Sequence, residues 1–226
     1  MLQPVITKET FQFLKALKEN NNREWFAEHK AEFKKVEAKV KEVYAAIGNA
    51  LGFHDEIERF KMFRIYRDIR FSKNKTPYKN HLSGFYSRAG LHRRGGYYIQ
   101  VQPGGSFIGG GFWKPEKQDL ERLRKEWELD ASELTAIIED TEFKRIWGAL
   151  EGEELKTAPK GFDKEDPNIE FIRKKQFVFR RSFIDEEVMA PDFVTTVNES
   201  FKAIRPFFNL MSMVLTTNLN GESLLD

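Results

Sequence analysis

The sequence predicts an α+β fold: an antiparallel, or partly mixed, sheet of about five strands packed with N- and C-terminal helices. Three observations carry this expectation. Apolar residues keep a helical period up to Leu51, strand-like runs fill Phe63 to Trp113, and helical spacing returns after Trp113. Helices, then adjacent strands, then helices describe α+β rather than alternating βαβ units.

The first quarter reads as two helices. Thr7 can cap a short one with Phe11, Leu14 and Leu17 on one face, and Asn20, Asn21 and Asn22 break it. Asn21 and Glu24 stand at capping-box spacing for a longer second helix. Its stripe runs through Trp25, His29, Phe33, Val36, Val40, Val43, Ile47 and Leu51, in steps of three and four that keep one face toward a core. Gly48 is tolerated within it and Gly52 ends it.

The period then changes. Phe63, Ile65, Ile69 and Phe71 alternate with Arg64, Tyr66, Asp68 and Arg70, which predicts a strand over Met62 to Phe71. A polar loop, Ser72 to Thr76, leads to Pro77. Three β-rich runs follow: Leu82 to Arg88, Tyr97 to Gln102 and Ser106 to Trp113. The last two flank Pro103-Gly104-Gly105, where proline presets φ and glycine supplies φ > 0, so a hairpin is expected.

Beyond it, Pro115 suits a first helical position, with Leu120, Leu123 and Trp127 on one face. Asp130 and Glu133 make another capping-box pair, and Asp140 can cap a turn carrying Phe143 and Trp147. Phe177 to Arg181 is the expected fifth strand. Pro191 opens a last helix, Pro206 kinks or ends it, and the tail from Thr216 is expected to fray. Without a composition break, a long linker or a repeat, residues 1–226 read as a single α+β domain.

The 226 residues are 40% hydrophobic and 32% charged, with a mean hydropathy of −0.57, which describes a folded chain rather than a disordered one. Zero cysteines exclude disulfides, thiol nucleophiles and cysteine metal sites. Met1 to Thr10 lacks the pattern of a signal peptide, and no apolar run approaches the ~18–20 residues that span a bilayer. A cytoplasmic protein with no membrane partner is expected. The net charge of +2 hides an asymmetry. Arg59 to Arg94 holds eleven Lys/Arg against one acid, Asp68, so that stretch is +10 and the remainder −8. Segregated positive charge points to anionic partners.

Three segments together resemble a known family: Asn20-Asn21-Asn22-Arg23-Glu24-Trp25-Phe26, the stretch Arg64 to Lys79 (RIYRDIRFSKNKTPYK), and Pro159-Lys160-Gly161-Phe162. In order and spacing the chain resembles the conserved hypothetical, mostly bacterial family catalogued as domain of unknown function 2461. The resemblance covers nearly the whole chain. It implies a single-domain soluble protein and brings no reaction, cofactor or catalytic residue with it.

The chemistry-bearing residues cluster in the basic segment. On a strand, Arg64, Tyr66, Asp68 and Arg70 share a face, with i and i+2 side chains about 7 Å apart. Arg64 and Arg70, beside Lys73, Lys75 and Lys79, could clamp a phosphate or carboxylate, arginine bidentately and lysine as a point charge. Tyr66 and Tyr78 would add contact area. In the bland alternative Asp68 is a structural partner of Arg64 or Arg70 and the rest is a solvated face; one acid, however, cannot neutralise eleven bases. The partner is then a phosphorylated small molecule or a nucleic acid. For nucleic acid, Phe63, Tyr66, Phe71, Tyr78, Tyr86, Tyr97 and Tyr98 interleave with the cations, though aromatics favour strands anyway and no RNP, KH or zinc-finger pattern occurs.

Two other readings stay open: an enzyme using His81 and Asp68 with an arginine clamp, and a protein-interaction module. The glycines Gly104, Gly105, Gly109, Gly110 and Gly111 match neither phosphate-loop nor dinucleotide templates and suggest a bulge or close backbone approach. His29 lies on an apolar stripe, as a hydrogen-bonded core histidine would. Asp163, Glu165 and Asp166 read as a solvated turn. Neither a metal nor another cofactor is expected.

Overall fold

In the computed structural model, which describes residues 3–225, the N-terminal helices form close to where the apolar spacing puts them. Met1 and Leu2, part of the stretch read for a signal peptide, lie outside the described residues. Helix α1 (Lys8–Glu19) buries Phe11, Leu14 and Leu17. The second helix differs from expectation, because it is two: α2 (Arg23–Glu28) and α3 (Lys30–Leu51). The break is His29. Its backbone leaves the helical region (φ −97°, ψ 12°), its Nδ1 lies 2.8 Å from the Trp25 carbonyl, and its ring stacks on Trp25 at 4.0 Å. Asn22, not Asn21, caps α2 by accepting from the Trp25 N–H at 2.8 Å. Asn21 is left for another partner.

Five strands form one antiparallel sheet in the order β1-β2-β3-β4-β5: β1 (Ile57–Met62), β2 (Leu82–Arg88), β3 (Gly96–Val101), β4 (Ser106–Phe112) and β5 (Phe177–Phe183). The β3–β4 hairpin turns on Gly104 at φ 65°. Gly111 has φ 137°, and a Cβ there would collide with the Phe177 carbonyl oxygen. What approaches the glycine run is therefore the backbone of β5.

The strand expected over Met62 to Phe71 is not a sheet strand; β1 ends at Met62. The chain beyond stays extended and folds back on itself. Phe63 N–H donates to Ser83, Lys79 N–H to Ile65 and Arg67 N–H to Pro77, at 2.8–2.9 Å, around a single antiparallel bridge between Tyr66 and Tyr78. Two local features stop a ladder. Pro77 has no N–H to give. The Asp68 carboxylate also captures the Arg70 N–H at 3.2 Å, competing with any strand partner. The alternation of exposure survives: Ile65 is buried, while Arg64, Tyr66, Asp68 and Arg70 face solvent.

Helices α4 (Lys117–Leu129), α5 (Ser132–Glu139), α6 (Thr141–Trp147) and α7 (Ile169–Ile172) precede β5, and α8 (Asp185–Met189), α9 (Phe193–Ala203) and α10 (Arg205–Thr216) follow it. Asp140 caps α6 through the Phe143 N–H at 2.9 Å, as its position predicts. Pro206 starts α10 rather than ending a helix, since a first turn needs no proline N–H. The tail is not frayed through Ser223: Thr217 bridges to Ser223 and the Leu224 N–H donates to Thr216 at 2.8 Å. Asp226 lies outside the described residues.

The chain forms two compact units. The first comprises the chain up to Tyr86, Tyr98–Ile108 and Ser182–Glu199; the second comprises Ser87–Tyr97, Gly109–Arg181 and the chain from Ser200 on. In the first, the α3 stripe Val36, Val40, Val43 and Ile47 is buried. Tyr44 donates to the Leu82 carbonyl at 2.8 Å, and Tyr86 donates to the Tyr44 carbonyl at 2.7 Å, which satisfies both buried hydroxyls and ties α3 to β2. In the second, Trp127, Trp147, Phe201, Phe207 and Phe208 fill the core, and the Trp147 indole donates to Ser200 at 3.1 Å. Among the described residues no helix is long and apolar enough to cross a membrane.

Candidate functional site

The backbone pairing of 63–67 with 77–83 makes a narrow hairpin extension between β1 and β2, and a cleft of about 530 Å³ opens beside it within the first unit. Asn21, Asn74 and Tyr78 contribute to its wall, together with Lys18 of α1 and the run Lys79-Asn80-His81.

The extension is anchored by two devices. The Asn21 side chain grips the Tyr78 backbone on both sides, donating to its carbonyl at 3.0 Å and accepting its N–H at 3.1 Å. Phe26 of α2 stacks on the Tyr78 ring at 4.0 Å and meets Tyr66 edge-on at 5.9 Å. These contacts fix the start of α2 to the outgoing arm of the extension. The turn itself is closed by Lys75, which donates to the Ile69 carbonyl at 3.0 Å. Asn74 Oδ1 accepts both the N–H and the hydroxyl of Thr76, at 2.9 and 2.8 Å, and the Thr76 oxygen accepts from Arg67 Nη1 at 2.8 Å. The Arg67 guanidinium is thereby oriented without being neutralised.

Charge in the cleft is one-sided. Among the described residues its cations are Lys18, Arg67 and Lys79, and its one carboxylate, Asp68, is already bound. Arg70 Nε and Nη2 reach the two Asp68 oxygens at 3.0 and 2.7 Å. The side-chain and backbone donors of Arg70, with Arg64 charge behind them, hold the Asp68 carboxyl down at about 2. Partial burial, then the charges of Lys79 and Arg67, push the His81 imidazole down to about 4, so it is neutral at pH 7. Burial, Arg64 and Arg67 likewise lower the Lys79 ammonium. Among the described residues, the side chains of Asn80 and His81 have no protein hydrogen-bond partner.

Of the residues singled out from sequence, Asp68, Tyr78, Lys79 and His81 line the cleft; Arg64, Tyr66, Arg70, Lys73 and Lys75 do not. Arg70 is spent on Asp68, and Lys75 on a carbonyl. Sequence reasoning passed over Lys18, Asn21, Arg67, Asn74, Thr76 and Asn80. Arg67 sits on the opposite side of the alternation from Arg64 and Arg70, so a face-sharing argument discards it. Asn21, Asn74 and Thr76 fall inside two of the three segments that carry the family resemblance, which was the available signal. Of the eleven cations of the +10 stretch, Arg88, Arg93 and Arg94 belong to the second unit. Arg88 is buried over the Phe208 ring and donates to the Arg94 carbonyl at 2.8 Å, while Arg94 pairs with Asp119.

Among the described residues no three His, Asp or Glu side chains are placed to hold a metal ion. The Asp163 and Asp166 carboxylates accept backbone N–H groups two residues on, at 2.9 and 2.7 Å, as turn residues do. A family model described as a conserved hypothetical protein (DUF2461) matches residues 9–209 of the chain. No curated protein and no solved structure matches it.

Proposed function

The chain belongs to the conserved hypothetical protein family DUF2461, and we propose that it binds a phosphate-containing anion in the cleft beside the β1–β2 extension. The observation that carries this reading is the composition of the wall: three cations face the cleft, and its only carboxylate is occupied by Arg70. Arg67, held by Thr76, offers its remaining N–H groups to an oxyanion in fixed geometry. Lys79 and Lys18 add compact charge. The Asn80 amide and the His81 imidazole supply neutral hydrogen bonds to the remaining oxygens. A cytoplasmic setting, where phosphorylated metabolites are abundant, is part of the reading.

An acid–base role for His81 with Asp68 receives less support from the same geometry. An imidazole held near 4 is a weak base at neutral pH, and Asp68 is tied into its fork with Arg70.

Calorimetric titration with inorganic phosphate and a panel of phosphorylated metabolites, repeated between 50 and 300 mM salt, tests the proposal. Affinity that weakens steadily with salt is expected, because charge attraction at a solvent-open cleft is screened. Binding indifferent to salt, or none to any phosphorylated compound, would refute it.

A further inference from the structure

We infer that the ligand extends beyond the cleft and is a single-stranded nucleic acid, its backbone phosphate seated on Arg67 and Lys79 and a neighbouring base stacked on Phe71. This rests on the anion-binding reading of the cleft and names its ligand class. A small phosphorylated molecule in the cleft would leave part of the turn unused. The turn whose residues Asp68, Asn74 and Thr76 wall the cleft also carries Phe71, which is 96% exposed. Such exposure of a large apolar ring costs hydration free energy and contributes nothing to the core. The Arg70 guanidinium lies over that ring, 6.0 Å from its centre.

On the same extension, Arg64 and Lys73 are exposed and have no ion pair with a carboxylate among the described residues, whereas the exposed Lys75 is held by the Ile69 carbonyl. Tyr66, at 47% exposure, is bridged to Tyr78 within the same extension. Free cations beyond the cleft call for a ligand with more than one negative charge spaced along a chain. An exposed aromatic ring backed by an arginine calls for a ligand with π faces of its own. Polyphosphate meets the first requirement only, and an anionic membrane surface offers no ring to stack. Duplexes keep their bases stacked on one another, so the free ring selects unpaired ones.

The rigidity of the turn fits this use. The Asp68–Arg70 fork, the Lys75 bond to Ile69 and the Asn74–Thr76 bonds are all internal to the turn. Phe71 therefore stands on a braced support, and little ordering remains when a base docks on it.

The test measures binding of a fluorescent 12-nucleotide oligothymidylate to the full chain. Comparison ligands are the same strand annealed to oligoadenylate, polyphosphate of equal length, and phosphatidylserine vesicles. The single strand is expected to bind more tightly than the duplex or polyphosphate, with log Kd rising against log salt by about 0.7 per phosphate neutralised. Phe71→Ala, at a side chain that packs against nothing buried, is expected to weaken the single strand about tenfold and leave calorimetric phosphate binding unchanged. Equal binding of polyphosphate, or preference for vesicles, or a Phe71→Ala protein with unaltered oligonucleotide affinity, would overturn the nucleic-acid inference while phosphate binding to the cleft stood. Loss of phosphate binding in the parent protein removes the anion reading itself, and this inference with it.

Discussion

Arg88 and Arg67 lie 21 positions apart in one basic stretch, yet the fold puts them to opposite uses. Arg88 is 5% exposed, sits over Phe208, and donates to the Arg94 carbonyl and the Ser212 hydroxyl. Arg67 reaches a cleft, held by Thr76, with neutral His81 beside it. The comparison teaches that surplus charge in a sequence is not free charge in a structure. A cation is available to a ligand only where burial has not consumed its donors and no carboxylate has met it. Arg70 fails the second condition and Arg88 the first.

The largest effect separating the two should come from Arg88→Ala. It takes the guanidinium donor from the part-buried Arg94 carbonyl, leaves the Ser212 hydroxyl with only the Arg94 N–H, and opens space under Phe208, which together cost about 2–4 kcal/mol. Chemical denaturation should show a lower midpoint, with phosphate affinity of the folded protein unchanged. If stability holds, the arginine is not structural and the comparison collapses from that side.

Arg67→Gln should do the reverse. Phosphate affinity is expected to fall about tenfold, or about 1.4 kcal/mol, because the oriented guanidinium is the cleft's one bidentate donor. Melting temperature should stay near that of the parent, since Arg67 gives up only a hydrogen bond to a half-exposed threonine. Calorimetry and a thermal melt read the two quantities separately.

A smaller effect is expected from Asp68→Asn. Removing the carboxylate releases Arg70 and takes the only negative charge from the cleft wall, so phosphate should bind a few-fold more tightly. The variant should also lose an acid-limb dependence. The Asp68 carboxyl is depressed from 3.8 to about 2 in the folded chain. Its stabilisation is therefore complete above about pH 4 and disappears as pH falls toward 2. His81 contributes in the same direction over a higher window. With its folded value near 4 against 6.5 unfolded, the unfolded chain takes up the proton first, and stability declines as pH drops from 6.5 toward 4. His81→Asn should flatten that part of the stability–pH curve.

Much of this fold could be read from residue order alone, and the places where it could not have identifiable physics. β2, the β3–β4 hairpin and the Asp140 cap follow from alternation, from Pro103-Gly104-Gly105 and from capping chemistry, all of them local. The split of the second helix at His29 depends on a ring stacking on Trp25 four residues earlier, which helical periodicity conceals. The region after Met62 alternates like a strand because it is extended and half-buried, but Pro77 and the Asp68 carboxylate keep it out of the sheet. The candidate site was legible as a charged neighbourhood and illegible as a constellation. Lys79 and His81 line the cleft, whereas Lys18 and Asn21 arrive from α1 and the turn before α2, and Asn21 bonds to Tyr78, 57 residues further on. No spacing rule reaches that far.

The claim on which the rest depends is that Arg67 and Lys79 converge, un-neutralised, on a cleft that takes an anion. The most direct measurement is the ionisation of the His81 imidazole by two-dimensional NMR, with and without phosphate. The account predicts a pKa of about 4 in the free protein that climbs as phosphate fills the cleft and cancels the neighbouring charge. An imidazole that titrates near 6.5 in the free protein, or one that phosphate leaves unmoved, would contradict it.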